Sequence, residues 1–224
     1  MKKQFILCCV VTAMLFSFNS CKTENEPSNE TQLVYLPMSV GNYWIYQHFM
    51  MDSLGIEHPL NSFDSLVITK DTLINNKLYY EFGGRQNNAP FHKFLRDSAG
   101  YLLNGNGENI FSTHNFKDTL LKQNDSVEFN KIKRLIFTFK IKMESVPVIK
   151  TTAAGEFNTL NAHGYLTTYY YDSSARLIDT IITTQNTYYA KNVGIIIQEY
   201  QYYTEIKVYK RRFEKRLIRY KLNK

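Results

Sequence analysis

Arg134-Leu135-Ile136-Phe137-Thr138-Phe139-Lys140-Ile141-Lys142 is the stretch whose reading decides the fold. Leu135, Phe137, Phe139 and Ile141 share one parity, and Arg134, Ile136, Thr138, Lys140 and Lys142 share the other. Successive side chains of a strand point to opposite faces of its sheet, so the pattern predicts a strand with one face buried and the other wet. A helix over the same residues would spread the four apolar side chains around its circumference.

The same grammar extends in both directions. On the C-terminal side, Ala154-Gly155-Glu156-Phe157-Asn158-Thr159-Leu160 starts a strand expected to break at His163-Gly164 and resume through residues 165–171. A polar turn centred on Ser173-Ser174 then leads to a return strand over 188–198. On the N-terminal side, β-rich runs at 65–69 and 77–82 flank a turn at Asn75-Asn76, and Gly83-Gly84 is expected to end the second run. Residues 91–96 and 101–104 form the next expected hairpin, followed by a turn at Gly105-Asn106-Gly107. A short helix over 119–124 is the one helical expectation. The class that follows is all-β: a single twisted antiparallel sheet curled into a half-barrel or open barrel, with little helix.

The first strand of the domain follows the turn at Gly41-Asn42 and runs to about Met51. Alternation puts Trp44, Tyr46, His48 and Met50 on one face and Tyr43, Ile45, Gln47 and Phe49 on the other. Trp44 is the only tryptophan, and a lone aromatic in a strand reads first as a core anchor and second as a platform for stacking a ligand. Pro37, Gly41-Asn42 and the aromatic pair around Trp44 resemble the start of uncharacterised Bacteroidota-type lipoproteins. The pairing of Gly155-Glu156-Phe157 with Tyr188-Tyr189-Ala190-Lys191-Asn192-Val193-Gly194 resembles the same group of exported domains of unknown function. The resemblance implies an all-β fold and an exported address, and no chemistry; Gly194 is expected to serve the backbone, as a bulge or a close approach of strands.

The N-terminus points the same way. Lys2 and Lys3 precede an uncharged run over residues 5–18, long enough for a signal-peptide core and short of the ~20 residues that span a bilayer. Phe18-Asn19-Ser20-Cys21 resembles a bacterial lipobox, in which the cysteine is acylated and becomes the first residue of the mature protein. The expected organisation is a lipoprotein signal peptide at 1–20, the lipidated Cys21 with a polar tether to residue 32, and one antiparallel β domain over 33–224. Cleavage would leave 204 residues, enough for a sizeable core, and removing Lys2 and Lys3 takes the formal charge from +7 to +5. Cys8 and Cys9 leave with the signal, so the folded domain would hold no thiol, disulfide or cysteine-ligated metal. The implied location is the outer membrane, lipid-anchored, with the periplasmic face and the cell surface both open. The anchor gives the membrane itself as a partner; an envelope protein, a glycan or a lipid are the candidate ligands, and a balance this mildly basic argues against nucleic acid.

Candidate chemistry is sparse. No Gly-x-Ser-x-Gly elbow, His-Glu-x-x-His pair, calcium loop or phosphate-cradling glycine loop occurs. His48, His58, His92, His114 and His163 are scattered, and Asp64, Glu81, Glu108 and Glu128 lie in or near strands without pairing in sequence. The expectation is therefore a non-enzymatic protein with no catalytic residue, metal or cofactor. Lys207, Lys210, Arg211, Arg212, Lys215, Arg216, Arg219, Lys221 and Lys224 crowd the C-terminus around Glu214. They read either as an edge strand armoured against pairing or as a surface for anionic groups. Trp44, Tyr46, Arg211, Arg212, Lys215 and Arg216 are the candidate ligand contacts. The leading functional expectation is a binding or accessory module of the cell envelope, followed by a structural subunit of an envelope complex and, last, a glycan or peptide hydrolase. The interior of the sheet discriminates among them: a concave face lined by apolar side chains favours carriage of a lipid, an exposed aromatic row favours glycan, and a filled core favours a partner role.

Overall fold

The computed structural model describes residues 34–52, 54–129, 131–203 and 210–223, and only the backbone at 202, 203, 210 and 211. Cys21, the signal segment, the tether, Lys207, Tyr209 and Lys224 lie outside the described residues, as do the side chains of Lys210 and Arg211. Thirteen strands make one antiparallel sheet: β1 Tyr43–Met51, β2 Glu57–Ile74, β3 Lys77–Gln86, β4 Ala89–Ser98, β5 Tyr101–Asn104, β6 Asn109–Ser112, β7 Thr119–Phe129, β8 Ile132–Met143, β9 Val148–Thr152, β10 Gly155–Tyr171, β11 Leu177–Ala190, β12 Gly194–Tyr203 and β13 Lys210–Lys221. No helix occurs among the described residues.

The spatial order is β6-β5-β4-β3-β2-β1-β13-β12-β11-β10-β8-β7, with β9 paired to the first part of β10. The sheet is nearly closed into a barrel and leaves one unsealed seam, between β6 and β7. Side chains bridge it: the Gln123 amide on β7 donates to both carboxylate oxygens of Glu108, at 3.0 and 3.2 Å, and the Asn104 amide donates to Glu108 at 2.7 Å. These bonds hold the Glu108 carboxyl below its usual pKa, the Asn104 amide contributing most. Hairpins turn tightly where sequence permits positive φ, as at Asn75-Asn76 (51° and 59°) and Asn87-Asn88 (50° and 64°).

Several local expectations change, and the return strand expected over 188–198 is two strands, since β11 ends at Ala190 and β12 starts at Gly194 after a turn. Residues 119–124 are not helical but begin β7, because Leu121 and Gln123 alternate inward opposite Ile141 and Phe139 of β8. Gly83-Gly84 does not end β3, which continues to Gln86; Gly84 has φ of 144° and a Cβ there would lie 2.1 Å from the Ser65 carbonyl oxygen. The glycine lets β2 and β3 approach, rather than stopping a strand. His163-Gly164 makes no break in β10, since a Cβ on Gly164 would meet the Phe139 ring at 3.1 Å and Gln185 at 3.2 Å. The basic C-terminal strand is not an edge: β13 lies between β1 and β12. Gly194 fulfils the backbone role expected of it, with φ of 111° and a would-be Cβ 2.8 Å from Leu36.

The parity of β1 holds from Tyr43 to His48 and then slips. A bulge between Gln47 and Phe49 in the pairing with β2 leaves Met51, not Met50, buried.

Candidate functional site

Interior side chains divide the barrel into a filled end and an open end. At the filled end Trp44 is fully buried, donates from its indole nitrogen to the Val193 carbonyl at 2.6 Å and stacks on Phe82. Tyr35, Phe111 and Tyr189 pack ring against ring in tilted pairs, with centroids 5.1 and 4.4 Å apart, and residues 34–38 lie here, where the Asn192 N–H donates to the Val34 carbonyl. Trp44 is therefore a core anchor with no surface to offer a ligand.

Following the same inward parity along β10 and β11, full burial gives way to half-burial. Leu160 and Tyr189 are buried, whereas Leu166, Thr168, Tyr170, Thr183 and Ile181 are only half covered. The Phe137 and Phe139 side chains that set the fold in the sequence join them around a cavity of about 410 Å³, together with Gln123, Gln185 and Tyr200. That size lies within the range of small-molecule sites. The inward face of β8 is thus apolar as read from sequence, but it faces open space rather than a packed core.

The register places the hairpin tips β1–β2, β3–β4, β7–β8 and β10–β11 at this same end. Three of these tips expose large apolar side chains: Leu54 and Ile56, Phe129 and Ile132, and Leu177 and Ile178.

A second, polar cavity of about 100 Å³ lies between the two regions, lined among others by Tyr46, Asp64, Lys93, Gln198 and Lys215. Tyr46 and Asp64 are register partners on β1 and β2. The Asp64 carboxylate sits 2.9 Å from His48 Nε2 and 3.5 Å from the Lys215 ammonium, and accepts from the Asn87 N–H at 2.9 Å. Burial alone would raise the Asp64 pKa; His48, the Asn87 N–H and Lys215 together hold it below its usual value. His48 Nδ1 lies 3.1 Å from the Tyr200 hydroxyl, so this network reaches the larger cavity. Lys215 also lies 5.0 Å from the centroid of the Tyr46 ring, and its burial lowers its pKa against the pull of Asp64. Burial pushes the Tyr46 phenol up, and its hydroxyl donates to the Ile195 carbonyl.

Lys93 enters from β4, opposite Phe82 of β3. No carboxylate among the described residues pairs with it. Burial first, and then the like charge of Lys215, lower its pKa to about 8.

Arg212 and Arg216 point outward. Arg216 pairs with Glu57 at 2.6 Å and also with Glu214, and Arg212 reaches Glu214 at 3.1 Å. The buried Glu214 is thus bracketed by two arginines, and the bonds to Glu57 and Glu214 raise the Arg216 pKa. Acids on β2 that are remote in sequence neutralise part of the basic C-terminal run. A further outward row joins His163, Glu144, Asn161, Asn186, Glu199 and Lys150 through hydrogen bonds of 2.9 to 3.1 Å. No group of three or more metal-ligating side chains occurs among the described residues.

Of the sequence candidates, the structure brings Tyr46 and Lys215 into one cavity and separates them from Trp44, Arg212 and Arg216. Sequence reasoning missed Lys93 as a cavity residue and left His48 and Asp64 unconnected. Parity in β1 and β2 could have suggested the last pair, but only the β1–β2 register joins them.

No known protein-family model matches the chain, and no curated protein matches it. Solved structures do. A protein of Parabacteroides distasonis, described provisionally as a lipoprotein, superposes with a TM-score of 0.54 at 14% identity, over 84% of this chain and 99% of that one. A protein of Bacteroides fragilis, described provisionally as exported and with a YmcC-like fold, gives 0.46 at 12% identity over 85% and 100%. The first likeness shows a shared fold, spanning nearly the whole of that protein.

Proposed function

We infer that this chain is a non-catalytic binding protein of the cell envelope, held at a membrane through Cys21, which carries a small amphipathic molecule in the open end of its barrel. The observation that carries the reading is the cavity of about 410 Å³ lined by Phe137, Phe139, Leu166 and Ile181 with Thr and Gln amides and hydroxyls interspersed. A filled core would have favoured a purely structural subunit, and an exposed aromatic row would have favoured glycan. An apolar recess with a few polar groups suits a ligand that has both an apolar body and a polar end. Exposed apolar residues at three hairpin tips around the mouth suit a ligand collected from another apolar surface.

The envelope address is supported by the lipobox resemblance and by the provisional description of the Parabacteroides protein that shares the fold. Palmitate labelling that disappears in Cys21→Ala tests the anchor. For the cavity, the test is binding of the neutral dye N-phenyl-1-naphthylamine, whose emission rises in apolar surroundings. Saturable binding that is lost in Thr183→Trp, where an indole would fill the recess, is the expected result. No saturable binding to a folded wild-type domain would overturn the reading.

A further inference from the structure

The polar cavity holds more positive than negative charge. Asp64 faces His48 and Lys215, so its one negative charge is already matched, while Lys93 of β4 has no acidic partner among the described residues. Lys93 is half-buried, and a partly desolvated ammonium without a counter-ion costs free energy that Leu or Met at the same place would avoid. Tyr46, Ser65, Gln86 and Gln198 are the remaining polar side chains in the wall, and none carries charge at neutral pH. The surplus is one positive charge, in a space of about 100 Å³, next to a larger apolar recess. Gln198 and Tyr200, two residues apart on β12, line one cavity each, and the Tyr200 hydroxyl reaches His48 of the polar network.

We propose that this cavity is an oxyanion site in which Lys93, backed by Lys215, holds a single carboxylate or phosphate-ester group. The inference rests on the carrier reading for the source of that group, since the headgroup of an amphiphile would place its chain in the neighbouring recess. A free small anion would use the same ammonium. Lys215 is the fixed member, set by Asp64; Lys93 is the member that gains a partner. Because burial and Lys215 bring the empty-site pKa of Lys93 to about 8, the charge needed for binding is present below that pH and is lost above it. The other titratable groups that face the site, Asp64, His48, Lys215 and Tyr46, come from β1, β2 and β13.

Calorimetric titration of the intact domain with decanoate, decanol, acetate and inorganic phosphate distinguishes the sources. Decanoate is expected to bind at least tenfold tighter than decanol at pH 7. Lys93→Gln should abolish that preference and leave decanol affinity unchanged, and the wild-type preference should decline as the pH rises through 8. Removal of an unpaired, half-buried charge does not threaten folding, and Lys93→Met provides a second variant. Equal binding of decanoate and decanol, indifferent to Lys93→Gln, would overturn the oxyanion site and leave the carrier reading intact. Binding of acetate or phosphate that depends on Lys93, with no binding of either decyl compound, would keep the oxyanion site and remove the carrier reading. Absence of binding by all four would remove both.

Discussion

The two ends of this barrel are made from the same kinds of residue and differ in what the inward side chains meet. At one end Trp44, Phe82, Phe111 and Tyr189 pack against each other and against residues 34–38 of the entering chain. At the other, Phe137, Phe139, Leu166 and Ile181 line open space. The difference lies in how the barrel is plugged and not in its strands: among the described residues, only the filled end receives a segment from outside the sheet. Apolar inward parity therefore marks the inside of a barrel without saying whether that inside is occupied.

Truncation at the two ends breaks or sharpens the contrast most. Trp44→Ala removes a fully buried indole and orphans the Val193 carbonyl, and is expected to cost about 3–5 kcal/mol. Urea denaturation followed by circular dichroism measures it. Phe139→Ala, half covered beside the cavity, is expected to cost less than about 1.5 kcal/mol while weakening the neutral dye several-fold. Equal costs at both positions would mean that the open end is packed in solution.

Asp64→Asn probes the boundary between the ends. The substitution leaves the Lys215 ammonium and the half-buried Lys93 with no acid between them, for an expected loss of about 2–3 kcal/mol at pH 7. The pH dependence gives the sharper reading. The folded Asp64 pKa lies below its ordinary value of 3.8, so its contribution is fully present above that value and is lost as the pH falls through the folded one. Wild type should lose stability over that acid range more steeply than Asp64→Asn. Parallel curves would show that His48 and Lys215 do not hold the carboxylate.

These cases show what was legible in the chain. Alternation in β8 and the Asn75-Asn76 turn gave the class and much of the hairpin order, because period and turn chemistry are local. The interior of β10 and β3 was misread at Gly164 and Gly84, where the reason for glycine is a ring or a carbonyl on a neighbouring strand. The C-terminal strand looked like an armoured edge because Glu57 and Asp64, which meet Arg216 and Lys215, are about 150 residues away in sequence. Tyr46 and Lys215 were singled out for their types, yet the cavity they share exists only through the β1–β13 and β1–β2 registers. Lys93 carried no signal at all: a lysine in a strand ordinarily faces water, and only closure of the sheet turns it inward.

The smallest effect separates backbone need from side-chain packing at the filled end. Gly194 has positive φ and sits against Leu36 and Trp44, so Gly194→Ala combines left-handed strain with an overlap at 2.8 Å, for an expected cost of about 2 kcal/mol. Gly55, in the β1–β2 turn at the open end, shares the positive φ (79°) but has nothing within 4 Å of a would-be Cβ. Gly55→Ala should therefore cost only the conformational part, about 1 kcal/mol. Denaturation midpoints of the two variants give the difference, which is the part of the Gly194 effect that belongs to packing. If Leu36 and Trp44 can yield by a few tenths of an ångström, the two losses converge. The filled end would then be held by its residues' apolar character more than by their fit.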